Sequence, residues 1–142
     1  MSENKDITFF LSGEIIPKKQ LPLRDLTRQM MHLIIKTFSE LSATELYEIL
    51  RLREAVFIVE QNCPYPEADG KDPDAVHLRY SGEDGRVDAY LRLYYKNDEP
   101  GTVQIGRVVT SAEARGTGLG TALIVAGATF LAHWIKAGAV KE

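Results

Sequence analysis

At 142 residues, with an apolar share of 44%, the chain has the length and composition of one folded domain with one core, which excludes a disordered or low-complexity protein. A formal net charge of -3 and a pI near 5.7 give no general attraction for nucleic acid, so any anion recognition has to be local. The lone cysteine, Cys63, excludes an internal disulfide framework, and with no basic start leading into an apolar secretory core the expected setting is a reducing cytoplasm.

In chain order, residues 1–30 mix a short apolar run, Ile7 to Leu11, a second at Glu14 to Ile16, and a polar stretch punctuated by Pro17 and Pro22. From Met31 the pattern becomes regular. His32 to Phe38 has strand composition, and Ser42-Ala-Thr-Glu45 has the form of a capping box opening a helix. That helix carries Leu46, Ile49, Leu50, Arg53, Val56 and Phe57 at three- and four-residue spacing, which sets the apolar members on one stripe, and it is expected to end before Gln61. Cys63-Pro-Tyr-Pro66 and Asp69-Gly-Lys-Asp-Pro73 break the helix into a loop, where five acids between Glu60 and Asp74 face one base, Lys71. Such a loop favours a cationic acceptor or is simply solvated, and Arg53 and Arg107 are candidate partners for its acids.

Ala75 to Tyr80 and Val87 to Tyr95 read as strands joined by Ser-Gly-Glu-Asp-Gly85, and Thr102 to Thr110 reads as a third antiparallel strand. Along the middle strand Val87, Ala89, Leu91, Leu93 and Tyr95 share one face and Asp88, Tyr90, Arg92 and Tyr94 the other, of which one is expected to be core. Beyond the last strand, Arg115-Gly-Thr-Gly-Leu-Gly120 leads into a helix packing Leu119, Leu123, Ala126, Phe130 and Trp134 on one side. Its most apolar part, Ala122 to Ile135, spans 14 residues and holds Gly127, Thr129 and His133, short of the ~20 that cross a bilayer, so no membrane partner is expected.

The glycine turn carries the chemistry. Glycines at alternate positions let the backbone approach an anion, the following helix aims its unpaired amides at the same point, and Arg115 adds a charge. No Gly-Lys-Ser/Thr follows, which excludes a Walker loop, and Gly116-Thr-Gly118-Leu-Gly120 lacks the Gly-x-Gly-x-x-Gly spacing of a dinucleotide fingerprint. A ligand-free glycine-rich start to the helix is the alternative.

These residues resemble the GNAT superfamily of N-acetyltransferases, whose pyrophosphate motif is Arg/Gln-x-x-Gly-x-Gly/Ala; Arg115, Gly118 and Gly120 fill its places. Upstream, Leu50-Arg-Leu-Arg-x-x-Val56-Phe57-x-Val-Glu60-Gln61-x-Cys63-Pro-Tyr65, then Asp69-Gly-x-Asp72, His77, Ala89-Tyr-Leu-Arg92 and Ile105-Gly-Arg107-Val108, resemble the ElaA-type branch. The resemblance implies an α+β fold, an α/β sandwich with a mixed sheet and helices on its faces, truncated after the coenzyme-binding helix. It divides the chain into an N-terminal extension, residues 1–30, and a partial acyl-CoA-binding domain, residues 31–142. It implies that the amides of Gly116, Thr117, Gly118, Leu119 and Gly120, with Arg115, hold the pyrophosphate of acetyl-CoA as cosubstrate. It also implies that the edge at Val108, Val109 and Thr110 pairs with the pantetheine arm. Family members continue into further strands and a helix that form the second wall of the cleft, and the tyrosine that often protonates the departing thiolate lies on that helix.

Transfer to an amine by direct attack needs a base and an oxyanion donor. Backbone amides near Val108 to Thr110 fit the second role. For the first, Glu60 leads, as a carboxylate at the end of the helix where partial shielding would raise its pKa, unless it is solvated or capping. His77 follows, unless it is hydrogen-bonded within its strand. Cys63 lacks the setting of a nucleophile, and Glu60, Cys63, Asp69, Asp72 and His77 follow no short ligand spacing, so no metal is expected. Two functions stay open: an N-acetyltransferase acting on a small-molecule or peptide amine, or a non-catalytic coenzyme-binding or assembly module. In the second, the edge beside Val103 to Val109 needs cover, from a second copy of the chain or from residues 7 to 16.

Overall fold

A computed structural model describes residues 6–7 and 31–136. Five strands, β1 (Asp6–Ile7), β2 (His32–Thr37), β3 (Val76–Ser81), β4 (Val87–Tyr95) and β5 (Val103–Thr110), form one sheet in the order β1-β5-β4-β3-β2. Every described pairing is antiparallel, where the resemblance implies a mixed sheet; the α+β class holds. The meander follows from its turns. Gly85, at φ +80°, donates its amide to Gly82 O at 3.0 Å between β3 and β4, and Lys96 N bonds Thr102 O at 3.0 Å where Gly101, at φ +78°, reverses the chain into β5.

β1 pairs Asp6 with Gly106 and Ile7 with Ile105, so the chain's own N-terminal segment covers the start of the β5 edge. Of the segment expected to do this, residues 8–16 lie outside the described residues, as does the rest of the extension to residue 30.

Helix α1 spans Ala43–Arg53, with Ser42 Oγ accepting from Glu45 N at 3.1 Å as the capping pattern predicts. The sequence predicts one helix to residue 60; instead Glu54–Glu60 is π-helical, closed by a five-residue bond from Gln61 N to Val56 O of 3.0 Å. The wider turn lets Val56 and Phe57 join Ile49, Val87, Tyr90 and Val109 in one buried cluster. Asn62, at φ 51°, then turns the chain out of the helix, a left-handed step that asparagine tolerates.

Helix α2 (Leu119–Lys136) covers the other sheet face, where Val76, Leu78, Ala89, Leu91, Leu93, Ile105 and Leu123 form a second cluster flanked by Leu119, Phe130 and Trp134. Gly127 permits the close approach: a Cβ there would lie 3.4 Å from Leu91 Cδ2. With 18 residues and a mean hydropathy of 1.4, α2 is longer than the predicted apolar stretch and apolar enough to lie in a bilayer, but here it rests on the sheet. Both faces of β4 are therefore buried, not one, because α1 and the loop after it cover Tyr90, Arg92 and Tyr94.

Candidate functional site

The glycine turn expected to cradle an anion lies at the end of β5 and leads into α2. Ser111 caps a short 3-10 turn, Ala112–Ala114, by accepting from Ala114 N at 3.2 Å, and its hydroxyl donates to the buried Asp88 Oδ1 at 2.7 Å. Ser111 N also bonds Asp88 O at 2.8 Å, so the turn is pinned to the central strand. Thr117 Oγ1 then donates to Ala114 O at 2.5 Å and faces Leu119 N at 3.4 Å, linking the 3-10 turn to the start of α2. Gly116 and Gly118 sit at φ +75° and +81°, in the left-handed region that glycine alone adopts freely. The first intrahelical bond runs from Ala122 N to Gly118 O, which leaves the amides of Gly118, Gly120 and Thr121 without acceptors in the helix. A Cβ built on Gly116 would meet nothing within 4 Å, so the backbone is open to a ligand there, whereas one on Gly120 would lie 3.0 Å from Thr110 Cγ2. These residues suit a diphosphate: open left-handed glycines, free helix-start amides and an arginine.

Strand β5 leads into this cradle through a bulge. Tyr90 pairs with Val109 and Arg92 with Gly106, so three steps on β5 match two on β4, and the extra residue falls at Arg107–Val108. Arg107 takes φ 53°, a left-handed conformation uncommon for a non-glycine residue. Val109 is buried against the α1 cluster and Val108 lies half-buried against the α2 cluster. β1 pairs only with Ile105 and Gly106, so the outer backbone edge of Val108 to Thr110 has no described strand beside it.

Arg115 and Glu60 meet across 55 residues of sequence, with Nη1 to Oε1 and Nη2 to Oε2 both 2.6 Å. The sequence predicts a shielded Glu60 with a raised pKa; the structure shows the reverse. Its side chain is 48% exposed, and the hydrogen bonds and charge of Arg115 hold the carboxyl below the usual range. Glu60 stands at the end of the π-helical turn, where it meets this guanidinium.

His77 is fully buried on β3, with Nδ1 2.7 Å from Tyr90 Oη and Nε2 2.9 Å from Asp72 O. Burial pulls its pKa down, with Arg53 and Arg92 adding to that, against the bond and charge of Asp72. An imidazole enclosed on both nitrogens holds the loop to the sheet and does not face a cleft.

Three of the five acids of the loop, Glu67, Asp69 and Asp72, are bound to arginines, while Glu60 and Asp74 are exposed. Glu67 Oε1 takes Arg53 Nε at 3.0 Å and Arg107 Nε at 2.6 Å. Asp72 Oδ1 takes Arg53 Nη1 at 2.8 Å and Arg92 Nη1 at 2.7 Å, and Asp69 takes Arg92 through both its nitrogens and Arg107 Nη2 at 3.2 Å. Three guanidiniums and three carboxylates thus neutralise one another beneath the loop. Burial pushes the Asp69 carboxyl up, but Arg92, the Lys71 amide and Arg107 outweigh it and hold it well below the carboxylate range. Asp72 behaves alike, its burial outweighed by Arg53 and Arg92. Arg53 and Arg107 are the expected partners; Arg92, Asp88 and Ser111 were not singled out by sequence. The Ser111-Ala-Glu-Ala cap pattern is the signal that marks the last of these.

Beyond this network, on the same sheet face, Gly70, Lys71, Asp74, Tyr94 and Gln104 line an open cavity of about 720 Å³. Lys71 Nζ sits 5.0 Å above the Tyr94 ring. Cys63 is a half-buried free thiol, and among the described residues no three His, Cys, Asp or Glu side chains gather as a metal site.

Comparison with known proteins bears on this arrangement. The profile of the Acetyltransferase (GNAT) family matches residues 28–141. Protein ElaA of Escherichia coli (strain K12) is 42% identical over 87 residues, 61% of this chain and 57% of that one. The crystal structure of Escherichia coli ElaA superposes with a TM-score of 0.69 at 39% identity, covering 73% of this chain and 71% of that one. That of an acyl-CoA N-acyltransferase from Pseudomonas aeruginosa gives 0.64 at 44% identity, covering 70% and 68%. The chain spans about six-tenths of the length of the curated relatives it matches, 57% to 62%.

Proposed function

The chain belongs to the acetyltransferase (GNAT) family, in its ElaA-type branch, and we propose that it is an N-acetyltransferase moving an acetyl group from acetyl-CoA to an amine by direct attack. The observation that carries this reading is the turn Arg115 to Gly120, built at the end of a bulged strand whose outer edge is open just before it. Acetyl-CoA would supply an activated thioester. Arg115 and the amides of Gly116, Gly118 and Gly120 would hold its diphosphate, a dianion matched to a helix start and a guanidinium fork, whereas the expected donors Thr117 N and Leu119 N face Ala114 O and Thr117 Oγ1, each at 3.4 Å. The backbone of Val108, Val109 and Thr110 would pair with the extended arm and donate to the carbonyl oxygen as charge develops there.

The acceptor's proton has two candidate destinations, and Glu60 keeps the stronger claim. It is exposed at the mouth of the cradle, and its carboxylate becomes available once Arg115 is engaged by phosphate, whereas His77 has both nitrogens occupied in the interior. The acceptor is a small-molecule or peptide amine. Its recognition cannot be assigned to the acids of the loop, because Glu67, Asp69 and Asp72 are spent on arginines. The lone thiol of Cys63 supports a cytoplasmic setting.

Calorimetric titration of the chain with acetyl-CoA, followed by a thiol-release assay across a panel of amines, tests the reading. Binding with release is the expected result. Binding without release for any amine would support a coenzyme-binding module instead, and a folded sample that binds no acetyl-CoA at millimolar concentration would remove both.

A further inference from the structure

Resting on that reading, we infer that Glu60 is a resident counter-anion: it occupies the Arg115 guanidinium until a diphosphate takes its place, and so sets the affinity and selectivity of the glycine turn. The Glu60 carboxylate meets the two terminal nitrogens of Arg115 in parallel bonds, both 2.6 Å, the same fork by which a guanidinium grips two phosphate oxygens. Carboxylate and phosphate therefore compete for one pair of donors.

The pair is built for exchange. Its partners are 42% and 48% exposed, unlike the arginines beneath the loop, which are enclosed by two carboxylates each. An exposed ion pair is weak in water, so a more highly charged ligand that also gains helix-start amides displaces it readily. A ligand without a diphosphate does not. Glu60 is the last residue of the π-helical turn Glu54–Glu60, closed by the bond from Gln61 N to Val56 O, and such turns recur at functional sites.

Exchange has two consequences. In the absence of ligand the Arg115 charge is balanced by Glu60, with Glu113 adding a weaker negative field, and Arg115 is held in place near the turn. On binding, Glu60 is released as a free carboxylate beside the bound coenzyme, which links occupation of the coenzyme site to the availability of the candidate base.

Calorimetry with coenzyme A, with pantetheine, which lacks the diphosphate, and with inorganic diphosphate tests this on the wild type, Glu60→Gln, Arg115→Ala and the double variant. Glu60→Gln is expected to tighten coenzyme A roughly two- to fivefold, the scale of one exposed ion pair, and to leave pantetheine unchanged. The gain should vanish when Arg115 is already alanine. Weaker coenzyme A binding by Glu60→Gln, or an equal gain in the Arg115→Ala background, overturns the inference, since Glu60 would then be a support or a distant repulsive charge. If no variant binds coenzyme A, the transferase reading fails, and inorganic diphosphate decides the inference by itself: equal affinity for wild type and Glu60→Gln overturns it.

Discussion

Arg107 Nε lies 2.6 Å from Glu67 Oε1, a bond between residues 40 apart that ties the bulge of β5 to the loop covering its face. The same Glu67 oxygen accepts from Arg53 Nε, and the Glu67 carbonyl takes Arg53 Nη2 at 2.7 Å, so one buried residue anchors two guanidiniums. Removing the carboxylate takes from each guanidinium one of its two acid partners, leaving Arg53 on Asp72 and Arg107 on Asp69, and puts an uncompensated positive charge in a site only 3% exposed. Glu67→Ala is expected to destabilise the fold by about 3–5 kcal/mol, the cost of breaking a buried pair from one side, read from urea unfolding. A loss below about 1 kcal/mol would show that the loop is held by other means.

The acid side of the stability curve should fall in two stages. His77 is kept neutral by burial, with its folded pKa below the unfolded value near 6.5; the unfolded chain takes up the proton first, so stability is full above about pH 6.5 and declines below it. Asp69 and Asp72 are held below their ordinary range by their arginines, against the pull of burial; their contribution is present above about pH 4 and is lost as pH falls through their folded values. Melting temperature against pH, at constant ionic strength, should show both slopes. His77→Gln should flatten the one between about pH 6.5 and 5 whatever its effect on absolute stability, and an unchanged slope would clear His77.

Much of this was legible in local pattern. Ser42 to Glu45, the alternation along Val87 to Tyr95 and the glycines at 116 and 118 each act within a few residues, so the cap, the central strand and the cradle can be read directly. The rest depends on partners far apart in the chain. Nothing near Asp69 or Asp72 announces Arg92, some twenty residues on, and without it the loop reads as an excess of acid. The expected shielding of Glu60 is absent for a subtler reason: the three- and four-residue spacing of Ile49, Arg53, Val56 and Phe57 fits an α-helix, whereas Glu54–Glu60 is π-helical, with Val56 and Phe57 packed beside Tyr90 and Val109 and Glu60 paired with Arg115.

The cradle's backbone can be tested without touching a charge. Gly116 holds φ +75° with open space around it, so Gly116→Ala meets no steric neighbour and its cost is conformational, about 1 kcal/mol. Differential scanning calorimetry should record that loss. On the proposed reading coenzyme A affinity should fall more than stability, because the new methyl would stand in the open space assigned to the diphosphate. A variant that melts lower yet binds coenzyme A as tightly as the wild type would place the ligand elsewhere.

Ser111 offers the last and most discriminating case. Its hydroxyl donates to Asp88 Oδ1 at 2.7 Å and caps the Ala112–Ala114 turn, while among the described residues the other Asp88 oxygen has Arg86 at 3.4 Å. Asp88 is fully buried, so Ser111→Ala leaves its carboxylate short of a donor and should cost about 1–3 kcal/mol. The loss should also reach the cradle, since Ser111 and Thr117 together fix the path from β5 to α2. Ser111→Thr keeps the hydroxyl and is expected to restore both stability and coenzyme A affinity. If Ser111→Ala lowers stability while affinity stays at the wild-type value, the turn keeps its shape without this pin, and the Asp88 contact serves the sheet alone.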